Sequence, residues 1–275
     1  MAKKIKKGII YFALTALAVT CMIPFLLMMV NATRSGIEIM TSFTLIPGDH
    51  LKENWDAVWG YFNLFLGLWN SLKVALPATI LTSYFSALTA YALSVYKFKG
   101  KNIVFYTIVI FMMIPGQLSL IGFYNLVAAM KLIDSYLPLI IPAIAAPGTV
   151  FFLRQYILSV LPMSLLEAGR IDGAREISMF HKIVLPIMAP GIATMAIGGF
   201  IGNWNSYLVP LIILNTPEKY TLPVMIASLN GSKDIATNQG AIYLAVAISV
   251  LPIMIAFCFL SKYIIGSIAA GSVKE

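Results

Sequence analysis

Charge is what this chain has least of. Only 11% of its 275 residues are Asp, Glu, Lys or Arg, 60% are hydrophobic, and the mean hydropathy is +0.88. A water-soluble domain carries about 25% charged residues, so a soluble globular protein is excluded. Two cysteines, Cys21 and Cys258, and two lone histidines, His50 and His181, are too few and too scattered for a disulfide framework or a metal cluster. The Gly-Lys pair Gly100-Lys101 is followed by Asn102 rather than Ser or Thr, which excludes a nucleotide-binding phosphate loop.

In place of charge there are long runs without any. Stretches free of Asp, Glu, Lys and Arg cover Gly8–Thr33, Val74–Tyr96, Asn102–Met130, Ser135–Leu153, Ile183–Pro217 and Ile235–Ser261. Crossing the hydrocarbon core takes about 20 apolar residues as a helix. These runs are continuously apolar and do not alternate, which favours helices over a β-barrel. The fold class that follows is all-α: one polytopic membrane domain over 1–275 with six transmembrane helices, at about 8–30, 74–96, 103–127, 136–156, 185–208 and 240–261. The fifth run exceeds one span, so a helix from about Leu185 to Leu208 gives way to a nonpolar loop broken by Pro210 and Pro217. The shorter run Ala57–Leu72, with Trp59, Tyr61, Phe62, Phe65 and Trp69, reads as an interfacial segment. Pro24, Pro77, Pro115, Pro142, Pro190 and Pro252 fit kinked helices, and Gly198/Gly202 and Ala189/Ala193 have the spacing of a close helix interface, which the general glycine content of such helices also explains.

Six crossings put both termini on one side. Counting Lys and Arg, 13 fall on the side of the termini and 6 on the other, together with seven of the eleven acidic residues. The positive-inside rule makes the basic side, and both termini, cytoplasmic. The net charge of +8 is thereby a topological signal and an attraction to lipid headgroups, with no nucleic-acid partner. The first apolar run is longer than a signal-peptide core and reads as an uncleaved span. Asn31-Ala32-Thr33 and Asn230-Gly231-Ser232 match the glycosylation pattern by chance.

Four of the five connections are unremarkable; the loop at about 159–186 is not. Pro162 suits a first helical turn, Ala168 and Gly169 permit close approach, and Asp172-Gly173 is a turn signal. The pattern predicts a short helix, a tight turn and a second short helix. In the second, Ile177, Phe180 and Val184 are expected to face the bundle while Arg175, Glu176 and Lys182 face water. Taken alone this is an ordinary amphipathic connector. The order Glu167-Ala168-Gly169, Gly173, then Ile183-Val184-Leu185-Pro186 resembles the EAA loop of ATP-binding-cassette importer permeases, with Gly169 where the third residue is usually Ala. Asn203-Trp204-Asn205 at the outer end of the fifth span, Thr221-Leu222-Pro223 and the ending Gly271-Ser272-Val273-Lys274 are similar to the carbohydrate branch, the permeases like the smaller maltose-transporter membrane subunit.

The resemblance implies a type I importer permease fold in a bacterial or archaeal cytoplasmic membrane, with a cytoplasmic coupling hairpin. It implies a non-catalytic subunit that holds no cofactor, ATP and Mg being bound by a partner. Its partners would be a second homologous permease, two ATPase subunits, an extracytoplasmic solute-binding protein, membrane lipid and a carbohydrate. On that resemblance Glu167, Ala168, Gly169, Asp172, Gly173 and Ala174 dock on the ATPase. Asn203, Trp204, Asn205 and Tyr207 combine amides with aromatic faces and suit a neutral polyhydroxylated solute, or equally an interfacial aromatic belt. The rival reading is a secondary transporter driven by an ion gradient, which would need ionisable groups inside its spans; the charge-free runs that form them carry no Asp, Glu, Lys or Arg, and Arg154 stands at the end of one span. A membrane enzyme lacks a convergent set of reactive groups, and a channel lacks a charged ring or repeated filter motif.

Overall fold

The computed structural model describes residues 2–231 and 239–272, with side chains over 6–231 and 239–262. Every regular element among them is helical. In chain order they are α1 (Ala2–Asn31), α2 (Gly36–Thr41), α3 (Leu51–Tyr61), α4 (Leu64–Val95), α5 (Lys101–Met112), α6 (Leu120–Ala129), α7 (Leu137–Ile140), α8 (Pro147–Val160), α9 (Met163–Ile171), α10 (Glu176–Met179), α11 (Leu185–Trp204), α12 (Leu208–Ile213), α13 (Leu222–Asn230) and α14 (Gln239–Ser272). Five stretches are long and apolar enough to cross a membrane: Lys6–Asn31, Leu64–Val95, Leu137–Val160, Glu176–Trp204 and Gln239–Lys262. A sixth arises if Lys101–Met112 and Gly116–Ala129, which meet at 91°, count as one. The chain is a multi-pass membrane protein.

The expected spans and these helices differ in several places: the nonpolar loop expected after Leu208 begins as the helix α12, the fifth span starts early at Glu176, and two further differences each have a local reason. The aromatic run 57–72 is divided between α3 and α4, because the Asn63 side chain accepts a hydrogen bond from the Leu66 N–H (3.0 Å) and so starts α4 ten residues ahead of its charge-free run. The third run bends sharply where Pro115, at ψ 123°, leaves the helical region and withholds its N–H.

Cα packing separates two units, Met1–Leu68 with Leu222–Pro252 and Trp69–Thr221 with Ile253–Glu275. In the first, the chain leaving α1 winds around a buried arginine. Arg34 is 4% exposed and donates to the Asn31 amide oxygen (3.3 Å), the Glu38 carbonyl (2.8 Å), and the Ser42 carbonyl (3.1 Å) and hydroxyl (2.6 Å). α2 starts on a capping box in which Ser35 and Glu38 bond each other's backbone, and the Ser35 N–H holds the Glu38 carboxyl below the usual carboxylate range. Asn54 of α3 donates to the Ala32 (2.9 Å) and Arg34 (3.0 Å) carbonyls. Asn31 is therefore buried and engaged, which removes it as a glycosylation acceptor; Ser232 of the second pattern lies outside the described residues, as do Val273 and Lys274.

The second unit has a core in which Ala87, Ala90 and Tyr91 of α4, Leu153 and Ile157 of α8, Leu166 of α9, Phe180 and Val184 of the turn after α10, and Met188 of α11 are buried together. At another place in it the segment 214–220 is strapped down. The Asp134 carboxylate accepts from the N–H groups of Asn215 (2.9 Å) and Thr216 (3.0 Å), the Thr216 hydroxyl (2.6 Å) and Lys219 Nζ (2.7 Å). Asn70 donates to the Glu218 (2.8 Å) and Tyr220 (3.1 Å) carbonyls, and Tyr136 to that of Lys219 (3.0 Å). These donors, Lys219 first, hold the Asp134 carboxyl far below the usual carboxylate range.

Two outcomes follow. Arg34→Ala removes the donor that the buried Asn31 amide oxygen and the Ser42 carbonyl share, while the Glu38 carbonyl keeps the Ser42 N–H and hydroxyl, and should cost about 1–2 kcal/mol, read as a lowered unfolding midpoint in detergent. Asp134→Ala should speed hydrogen exchange at Asn215 and Thr216 by roughly tenfold or more. Because the folded value is depressed, the strap's contribution is complete above the ordinary aspartate pKa and is lost as pH falls below it toward the folded value. Protection at these two amides should therefore hold from neutrality down to the ordinary carboxylate range and decline only below it.

Candidate functional site

α9 follows Leu161-Pro162, Pro162 being extended at ψ 126° and the helix beginning at Met163. It ends in a Schellman arrangement: the Ala174 N–H bonds the Gly169 carbonyl (2.9 Å) and the Gly173 N–H that of Arg170 (3.1 Å). Gly173 has φ +76°, a backbone state that a side chain strains, although the space around it is open. The chain then enters α10, which does not end as a separate short helix. It passes through a wide π turn, Phe180–Val184, straight into α11. The turn lies where Pro186 has no N–H to give to the Lys182 carbonyl, so the second half of the expected loop 159–186 is helix continuous with α11.

The expected docking residues divide by surface. Glu167, Ala168, Asp172 and Gly173 are exposed, Ala174 is half-buried and Gly169 is buried. A β-carbon on Gly169 would stand 3.0 Å from the Met179 sulfur, so its smallness lets α9 lie against α10. Two apolar side chains that sequence reasoning missed stand outward beside them, Ile171 at 86% and Ile177 at 74% exposure. The signal for Ile171 was its place next to the Asp172-Gly173 turn.

The expectation for the second helix is corrected at one position. Phe180 and Val184 are in the core, but Ile177 faces outward. Glu176 keeps 43% of its side chain exposed and bonds across to α4 and α9. Arg170 Nε stands 2.8 Å from one carboxylate oxygen, and the hydroxyls of Tyr91 (3.2 Å) and Tyr96 donate to the other. The pairing with Glu176 raises the Arg170 pKa further. One turn on, His181 Nδ1 lies 2.8 Å from the Ile177 carbonyl and Nε2 lies 3.1 Å from the Tyr84 hydroxyl. A carbonyl only accepts, so Nδ1 carries the proton and Tyr84 donates to Nε2.

The four residues expected along a solute path do not converge. Consecutive residues on a helix point about 100° apart. Trp204 is 2% exposed and stacks on Phe200 (5.7 Å), Asn205 is exposed at the end of α11, and Tyr207 is exposed beyond it. Asn203 alone of the four lines a cavity of about 640 Å³, with its amide nitrogen a long 3.5 Å from the Thr79 hydroxyl. Ser206, three residues further along, lines it too, with Ser119, Phe123 and Pro142, and no charged side chain among the described residues takes part. Ser206 was legible as the i+3 neighbour of Asn203.

Residues 80–269 match the family described as binding-protein-dependent transport system inner membrane component. The chain is 39% identical over 214 residues to the arabinooligosaccharides transport system permease protein of Bacillus subtilis, covering 78% of this chain and 74% of that one. Its counterpart in Halalkalibacterium halodurans is 34% identical over 264 residues, covering 94% and 93%. A crystal structure of a bacterial ABC transporter involved in the import of the acidic polysaccharide alginate contains a chain of the same fold, with a TM-score of 0.80 at 21% identity over 96% of this chain and 98% of that one. A family match across most of the chain and relatives this close over most of their length make it a member of the inner-membrane permease family of binding-protein-dependent transport systems.

Proposed function

We propose that this chain is one of two permease subunits of an ATP-driven importer for a neutral oligosaccharide, and that the outward surface of α9 and α10 docks on a separate ATPase. What carries the reading is the two-sidedness of residues 163–184. Their inner side chains, Leu166, Met179, Phe180 and Val184, are buried, while Glu167, Ile171, Asp172 and Ile177 are exposed, the two isoleucines most of all. Exposed isoleucines beside a carboxylate are what a protein partner covers, since they cost free energy in water. Glu167 supplies a charge-assisted hydrogen bond to that partner.

Family membership supports the remaining parts: a second permease, two ATPase subunits that bind ATP and Mg, and an extracytoplasmic solute-binding protein. It does not favour the ion-gradient-driven alternative. The basic side, carrying Arg170, Arg175 and Lys182, faces the cytoplasm with both termini, which places the ATPase there. Among the described residues the cavity at Asn203 and Ser206 is lined by amide, hydroxyl and apolar groups, which suits a neutral solute such as the arabinooligosaccharides named for the relatives.

Affinity purification in mild detergent should recover an ATPase and a second permease, and hydrolysis in the reconstituted complex should rise with a binding protein loaded with neutral oligosaccharide. Recovery of the chain alone would overturn the reading. Gly173→Val forces a β-branched residue to φ +76° and should lower transport by about tenfold while hydrolysis persists. Ile171→Asp should abolish co-purification of the ATPase without reducing the yield of the permease. Asn203→Ala should raise the half-saturating solute concentration by about fivefold if its amide meets the solute, as a competition assay with arabinan fragments against alginate fragments would show.

A further inference from the structure

Docking uses the outward surface of α9 and α10. On another side, α10 and the π turn Phe180–Val184 that continues it are tied to α4 at two places. At the first, Glu176 accepts from Tyr91 (3.2 Å) and Tyr96 while pairing with Arg170 of α9 (2.8 Å). The Tyr91 ring is buried, 5.6 Å from that of Phe180 and edge-on to that of Tyr96 at 5.5 Å. At the second, Tyr84 donates to His181 Nε2 (3.1 Å), and its ring is edge-on to Phe180 at 6.0 Å.

Tyr84 and Tyr91 are seven residues apart and share one face of α4, so the two ties are separated by about 10 Å along the helix axis. One tie would leave a pivot. Two at that separation oppose rotation of α10 against α4, and Arg170 brings α9 into the same lock.

We propose that Glu176 is a positioning residue that fixes α9 and α10 to the end of α4 through Tyr91, Tyr96 and Arg170, so that a push on the docking surface turns α4 instead of bending the Asp172-Gly173 turn. This rests on the coupling reading above and names the part of the chain that passes the motion on. α4 also carries Val74, on the wall of the Asn203 cavity, so the same helix joins the lock to the candidate solute site.

The test combines Tyr91→Phe with Tyr96→Phe, which keeps both rings and removes both hydroxyls, and uses Glu176→Gln alongside. In the complete importer, with its ATPases, binding protein and an arabinan-fragment mixture as the probe, solute moved per ATP hydrolysed should fall by about tenfold, as loss of hydrogen bonds to a charged group implies, while ATPase co-purification stays unchanged. In the permease, spin labels at Leu88 and Lys182, both exposed, should show a narrow distance distribution in the unaltered chain and a broad one in the double variant. An unchanged ratio, or hydrolysis and transport falling in equal proportion, overturns the proposal, as does an unchanged distance distribution. If the double variant does not accumulate, Glu176→Gln carries both measurements. If the unaltered chain recruits no ATPase, the coupling reading fails, while the spin-label result still decides whether the lock exists.

Discussion

A helical segment lying outside the apolar spans holds its place only if some side chain ties it to them, and in this chain the burden rests on Phe180. Its ring lies among Tyr84, Tyr91 and the buried Val184 and Met188, at the point where α10 passes into α11. Burying an aromatic ring of that size contributes roughly 2–3 kcal/mol. The features around it depend on that burial. Gly169 is small so that α9 can reach Met179 beside it, Leu166 closes the same core from α9, and Glu176 is brought within reach of the two tyrosines.

The surface argument elsewhere runs differently, because the solvent is lipid. The apolar stretch of α1 has none of its residues buried within the chain, yet exposed leucines and phenylalanines there need no protein cover in hydrocarbon. The same exposure at Ile171 and Ile177 bears on the docking proposal, since these stand on short helices beside Asp172, Arg175 and Lys182. Exposure is informative only where the surroundings are wet, which is why those two isoleucines weigh more than the many apolar side chains of α1 and α14.

The apolar elements were legible because a charge-free run is a direct statement about hydrocarbon, and the Asp172-Gly173 turn because only a few residues tolerate its backbone. What stayed hidden was set by partners distant in sequence. Periodicity assigned Ile177 to the core, since it weighs residues by hydropathy and cannot see the hydroxyls of Tyr91 and Tyr96 that hold the neighbouring Glu176 carboxylate, still half-exposed, against α4. Trp204 looked like a solute platform from its neighbours, and proved to be a packed ring because Phe200, one turn back, stacks on it. Asn63 as the start of α4 was readable as a cap residue, but the aromatic residues around it drew attention to the interface instead.

The right-angle break between α5 and α6 has a consequence for wetting. Pro115 has no N–H for the Phe111 carbonyl, which instead receives the Ile114 N–H at a long 3.4 Å. Hydrocarbon tolerates poorly paired peptide groups only where protein or water reaches them. The Met113–Gly116 corner therefore calls for protein or water beside it, and the cavity that Gly116 and Ser119 border leaves room for water. A sugar arriving there would exchange its own hydroxyls for any waters that serve the backbone.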